Sequence, residues 1–122
     1  MATTAVTPEV LTINTVDTDA LALTEATTAA DGFLVPFTSA DQKTLFVFYN
    51  ANASTTARTF TIKAGDGIQG TTDLASGNVA AGKYALVVIE SGKYKITSGT
   101  NKGKILVIPS HAELKMAAVV LP

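Results

Sequence analysis

The chain has 122 residues, no cysteine, one histidine and a net charge of −1. That length suits one domain with its own core, and the missing cysteines exclude a disulfide framework and a thiolate metal site. Near-neutral charge disfavours a nucleic-acid partner, because phosphate binding needs a basic face, and no apolar run approaches the roughly 18 residues of a membrane helix.

The first ten residues, MATTAVTPEV, lack a basic residue followed by an apolar run, so no secretory signal is expected. Residues 1–8 are small and polar and end at Pro8. They read as a flexible N-terminal arm, which leaves 9–122 as a single domain. Residues 9–14 (EVLTIN) read as a first strand with Val10 or Leu11 facing in. Over 17–31, Asp19 could cap a short helix, but Leu21, Leu23 and the threonines at 24, 27 and 28 favour a strand and then a loop. Phe33, Leu34, Val35, Pro36 and Phe37 form a short strand interrupted by proline. Proline cannot donate to a ladder, so this strand belongs at a sheet edge or reaches a strand end there.

Residues 44–50 (TLFVFYN) carry the strongest strand signal, apolar on both faces: Leu45, Val47 and Tyr49 on one, Phe46 and Phe48 on the other. Such a strand lies between layers or turns its second face to a partner. A loop follows at 50–56, where the sequon Asn52-Ala53-Ser54 reads as chance. Residues 59–70 (TFTIKAGDGIQG) open as an alternating strand through Phe60, Ile62 and Ala64. They close as a turn built on Gly65, Asp66, Gly67 and Gly70, where glycine is expected to supply positive φ. Beyond a polar loop over 68–78, residues 84–90 (YALVVIE) read as a well-buried strand. Ser91-Gly92 and residues 93–97 (KYKIT) complete a tight hairpin with Tyr94 and Ile96 inward. Strands over 105–108 and 113–121 end the chain, a helix remaining open for the first half of the last. About eight short antiparallel strands with little helix predict an all-β fold, a sandwich of immunoglobulin-like or jelly-roll-like type or a small barrel.

Charge is distributed unevenly. Residues 1–42 hold six acids and no base, whereas 43–122 hold nine bases and four acids. The simpler account packs the acidic start beside the basic end within one molecule; the alternative is contact between subunits or with a larger assembly.

Catalytic chemistry has poor raw material here. Ser110 and His111 are adjacent and point apart on extended backbone, so they do not pair as nucleophile and base. His111 reads as a solvated loop residue. The glycines of 65–70 lack GK[ST] and a following helix, which removes a phosphate loop. Asp66 and Asp73 lack the spacing of a calcium loop; a carboxylate bonding its own turn explains Asp66 better. Lys93, Lys95, Lys102 and Lys104 beside Tyr94 are better explained as edge protection than as a single-strand nucleic-acid surface. No enzyme activity, cofactor, metal, membrane or small-molecule substrate is expected.

Taken together, the double-faced strand at 45–50, TFTIKAGDG, Gly70, Asp73-Leu74, Ala80-Ala81-Gly82, Ile89-Glu90-Ser91, Lys93-Tyr94-Lys95 and Val120-Leu121-Pro122 form a recognisable order. It resembles a family of small tailed-bacteriophage virion proteins that decorate or cement the capsid. The resemblance covers about residues 42–122, and its most specific piece is Val/Ile-x-Ala-Gly-Asp-Gly followed at a distance by Leu/Ile-Glu-Ser. It implies a β-sandwich made in the host bacterial cytoplasm and added to the capsid exterior, as a homotrimer bound to the major capsid protein. For such a role the apolar face of Phe46 and Phe48, the edge at residues 33–37 and the N-terminal arm are the candidate contact surfaces, although filling the space between two sheets is the better account of those two phenylalanines. A neck or tail component is the alternative within the same class, and a carbohydrate-binding sandwich the alternative outside it.

Overall fold

Every second side chain from Phe33 to Phe37, from Phe46 to Phe48 and from Phe60 to Ile62 is large, apolar and buried, the signature of strands laid on one shared core. The computed structural model describes residues 2–19 and 21–122. The parts of the expected arm and of the expected 17–31 element that fall on Met1 and Ala20 lie outside the described residues. Among the described residues nine strands are present: β1 (Thr4–Ala5), β2 (Glu9–Val10), β3 (Phe33–Pro36), β4 (Thr44–Asn50), β5 (Phe60–Ile62), β6 (Leu74–Ala75), β7 (Tyr84–Val87), β8 (Lys104–Pro109) and β9 (Leu114–Val120). Helix among them is confined to a 3-10 turn at Asp41–Lys43 and one α-turn, α1 (Ser91–Tyr94). The chain is therefore all-β with little helix.

The strands form two sheets. One runs β1-β3-β8-β5-β6 and the other β2-β9-β4-β7. Phe33, Val35, Ile62, Ile105 and Val107 from the first meet Phe46, Phe48, Leu114, Met116 and Ala118 from the second in one core. The Phe48 and Phe60 rings stack across the two sheets with centroids 3.6 Å apart, and Phe37 meets Phe46 edge-on at 6.1 Å. Each buried side chain of this size contributes about 1.5–3 kcal/mol relative to exposure.

The sheets are mixed rather than purely antiparallel. β1 pairs in parallel with β3, and β2 in parallel with β9. The expected loose arm is therefore docked over residues 2–8: Val6 is buried, its N–H donates to the Leu34 carbonyl, and the Thr4 hydroxyl accepts from the Thr27 N–H. The first strand stops at Val10, which points to solvent, while Leu11 is half-buried. Thr24 makes only a single antiparallel bridge to Met116. Pro36 ends β3, and β1 reaches only Phe33 and Leu34 across from it, so the proline interrupts no ladder.

The expected hairpin over 91–97 is replaced by α1 and a loop. Ile96 still exchanges backbone hydrogen bonds with Gly103 and Lys104 at the start of β8, but the other polar groups of the segment go to loops. The Asp41 carboxylate accepts the Ser91 N–H at 3.0 Å, the Lys93 carbonyl accepts the Gly65 N–H at 3.0 Å, and Asp66 accepts the Thr97 N–H at 2.6 Å. Tyr94 is half-buried against the core, and the Lys95 ammonium lies 5.7 Å from the Phe37 ring centroid. Those lysines are therefore not edge protection on a strand. Among the described residues, only the Lys115–Glu25 ion pair (3.9 Å) joins the acidic first 42 residues to the basic remainder, and an exposed pair of that length adds little.

Candidate functional site

The residues expected to contact a capsid lie inside the protomer. Phe33, Val35 and Phe48 are fully buried, Phe37, Phe46 and Leu34 nearly so, and Pro36 is half-buried at the end of β3. The physical reason is the pairing of the sheets. β3 is flanked on both sides by β1 and β8, and the inner faces of β3 and β4 close on each other. These side chains are core, and their role as a contact surface is withdrawn.

The surface left open is the other face of β4 and its neighbours. Phe46 and Phe48 point into the core, so alternation turns Leu45, Val47 and Tyr49 outward. The register places them beside Val119, Ala117 and Lys115 of β9 and, from Val47 and Tyr49, beside Leu86 and Tyr84 of β7. Val47, Ala117 and Val119 are buried, whereas Tyr84 is 56% exposed, Leu86 62% and Val88 54%. The Tyr49 and Tyr84 rings lie 4.6 Å apart at 35°. The result is an exposed apolar strip along β7, so the expectation that residues 84–90 are well buried is corrected. Sequence reasoning missed it because YALVVIE reads as core whichever way it alternates.

Gly65, Asp66, Gly67 and Gly70 form a fastening, by a different mechanism from the one expected. None of the three glycines has positive φ. They are needed for close approach: a Cβ on Gly65 would strike the Lys95 carbonyl, and one on Gly70 would strike the Gly65 carbonyl. Gly67 has ordinary room. The main partners of Asp66 lie outside its own turn. Its carboxylate accepts from the Thr97 N–H at 2.6 Å, the Thr97 hydroxyl at 2.7 Å and the Ser98 hydroxyl at 2.8 Å. Two loops about thirty residues apart are thereby joined.

These hydrogen bonds, led by that from the Thr97 side chain, pull the Asp66 carboxyl down from 3.8 to about 2. A depressed carboxylate pKa stabilises the fold above the ordinary value and loses that effect as pH falls through the folded value. Asp66→Ala should therefore melt below the parent at neutral pH, and the gap should narrow as pH drops from 3.8 towards about 2. Thermal melts of both proteins across that range test this. A gap that stays constant would mean the charge is not what fastens the loops.

Two polar clusters escaped the sequence. Asn50, fully buried at the end of β4, donates to the Val79 carbonyl at 2.9 Å and the Thr56 carbonyl at 3.0 Å, and accepts from the Asn52 N–H at 3.0 Å. Glu113 accepts from Arg58 at 2.8 Å and from the Asn52 amide at 2.9 Å. The Asn52 bond, then Arg58, holds the Glu113 carboxyl below its ordinary range. The sequon amide is thus engaged within the fold. His111 is exposed, and its Nδ1 accepts the Glu113 N–H at 3.1 Å. Asp73 accepts from Lys63 Nζ at 2.6 Å and the Ala64 N–H at 2.7 Å, which separates it in role from Asp66. Among the described residues, no three acidic or histidine side chains gather at one point, and no helix is long and apolar enough to cross a membrane.

The fold and these surfaces define an all-β, sandwich-like protein with internal loop fastenings and one open apolar face. No family model, curated protein or solved structure matches the chain.

Proposed function

We propose that this chain is a structural virion protein that binds the outside of a phage capsid and stabilises the shell. The supporting observation is the division of labour between its residues. The Ala64-Gly65-Asp66-Gly67 segment at the heart of the resemblance is a hydrogen-bonded fastening, while the exposed apolar residues of β7 lie together on one sheet face. A protein built this way offers contact area rather than a reactive group. Many copies that each bury a modest area against the major capsid protein stabilise a shell by mass action and multivalency. In this role the copies sit on the capsid exterior, where the resemblance implies homotrimers. The outer face around Tyr49, Tyr84 and Leu86 takes the place of Phe46 and Phe48 as the contact surface.

Co-sedimentation with expanded, undecorated shells of its own phage, with unexpanded procapsids as the control, tests this. Saturable binding to expanded shells alone is expected. Binding to neither would move the protein to the neck or tail of the virion. One observation favours a second reading: the paired Tyr49 and Tyr84 rings on an exposed face are a surface on which a sugar ring can stack. Glycan-array binding lost in Tyr84→Ala, without shell binding, would favour a carbohydrate-binding appendage.

A further inference from the structure

We infer that β7 is a self-pairing edge, and that two copies of this chain join through it in antiparallel, two-fold fashion. The inference goes beyond shell binding, needs no capsid, and for the free chain puts a two-fold pair in place of the homotrimer that the resemblance implies. It begins with backbone parity. The Asn50 N–H donates to the Lys83 carbonyl, so Tyr49 and Tyr84 are a non-hydrogen-bonded pair. The ladder to β4 is then carried by Ala85 and Val87, and the N–H and C=O groups of Tyr84 and Leu86 point away from the sheet. Among the described residues, neither Tyr84 nor Leu86 has another backbone partner.

That edge is unprotected. Natural edges are blunted by lysine, proline, a bulge or a covering loop, yet residues 84–89 read YALVVI without a charge or a proline. The opposite edges of both sheets are the two-residue strands β1 and β2, too short to offer a ladder of this length. On the inner side of the same edge, a groove of about 230 Å³ opens between β6 and β7, lined by Phe60, Leu74 and Ala75 on one side and Ala85 and Val87 on the other.

The pattern complements itself. Outward-pointing residues must form the hydrogen-bonded pairs of a new antiparallel ladder. The register centred on the free strand sets Leu86 opposite Leu86 of the partner subunit, and Tyr84 opposite Val88 of the partner subunit. All six side chains then share the outer face, and alternation keeps Ala85 and Val87 of both copies on the groove side, so two grooves meet across the axis. An isologous contact of this kind is the commonest oligomer geometry. A foreign strand would satisfy the backbone but has no reason to match the apolar alternation.

The test uses the absence of native cysteine. In a hydrogen-bonded antiparallel pair the Cα atoms lie about 5.5 Å apart, within disulfide reach. Leu86→Cys should therefore oxidise to a covalent dimer. Tyr84→Cys should not, because its own counterpart lies about 13 Å away along the strand. In sedimentation equilibrium the parent should show a concentration-dependent mass of twice the chain. Leu86→Lys, at a 62% exposed position, should keep the melting temperature and weaken the dimer at least about tenfold, since like charges then face each other. Monomers up to millimolar concentration, equal cross-linking of the two cysteines, or an oligomer indifferent to Leu86→Lys would each overturn the inference. If Leu86→Lys fails to fold, the cysteine pair decides alone. Because no shell is involved, failure here is separable from failure of the decoration role.

Discussion

Phe48→Ala should lose about 3–5 kcal/mol of stability, the usual cost of deleting a buried phenylalanine. The side chain is fully buried and its ring stacks on Phe60 at 3.6 Å. Truncation leaves a hole at the centre of the sandwich that neither sheet can close, because both are pinned by their ladders on either side. For a domain whose total stability lies in the range of about 5–15 kcal/mol, such a loss is a large part of the whole. Urea denaturation of the parent and the variant gives the difference directly. The result also decides between two roles for this residue. A contact residue would leave the denaturation midpoint unchanged and reduce only association, so an unchanged midpoint would return Phe48 to the surface.

Asn50→Ala should cost about 1–3 kcal/mol although the residue is polar. The buried Asn50 amide donates to the Val79 and Thr56 carbonyls and accepts from the Asn52 N–H. The Val79 carbonyl keeps the Arg58 N–H at 3.0 Å, and Thr56 is exposed and can turn to water, so the loss falls on the three bonds themselves and on the space the amide leaves. Asn50→Asp should be worse than Asn50→Ala at neutral pH, because a buried carboxylate would face two carbonyl oxygens, and acid should relieve part of the loss. Denaturation curves for the two variants at neutral and mildly acid pH check the order. Equal or reversed stabilities would remove the amide from its place as the clamp on these loops.

The strands legible in the sequence were those whose apolar pattern had only one use. Residues 44–50 alternate between two apolar faces and form β4 as drawn, and Phe60 and Ile62 face the core as their spacing requires. Leu114–Val120 is a strand although Glu113 to Met116 would suit a helix, because β4 pairs with every residue of it. Illegible regions were those settled by distant polar groups. Residues 93–97 alternate like a strand, but Asp41, Gly65 and Asp66 claim their neighbourhood first. Asn50 reads as the start of a loop, and only its burial against Val79 and Thr56 gives it weight. The contact surface was misplaced for a related reason. Periodicity names the faces of a strand without saying which face the partner sheet will cover. Phe46 and Phe48 went inward and Tyr84 and Leu86 outward, a choice made by the packing of two sheets.

The placing of β9 bears on how the protein is made. It follows the other described strands in order, yet it lies between β4 and β2 and supplies Leu114, Met116 and Ala118 to the core. Until it leaves the ribosome, β2 has nothing to pair with and β4 is bare along one edge. Folding of that sheet therefore waits for β9, and its closure over so long a stretch of chain makes it slow. During that interval the apolar strands stand open to one another on neighbouring nascent chains, so crowding on a polysome is the moment of greatest risk for this protein.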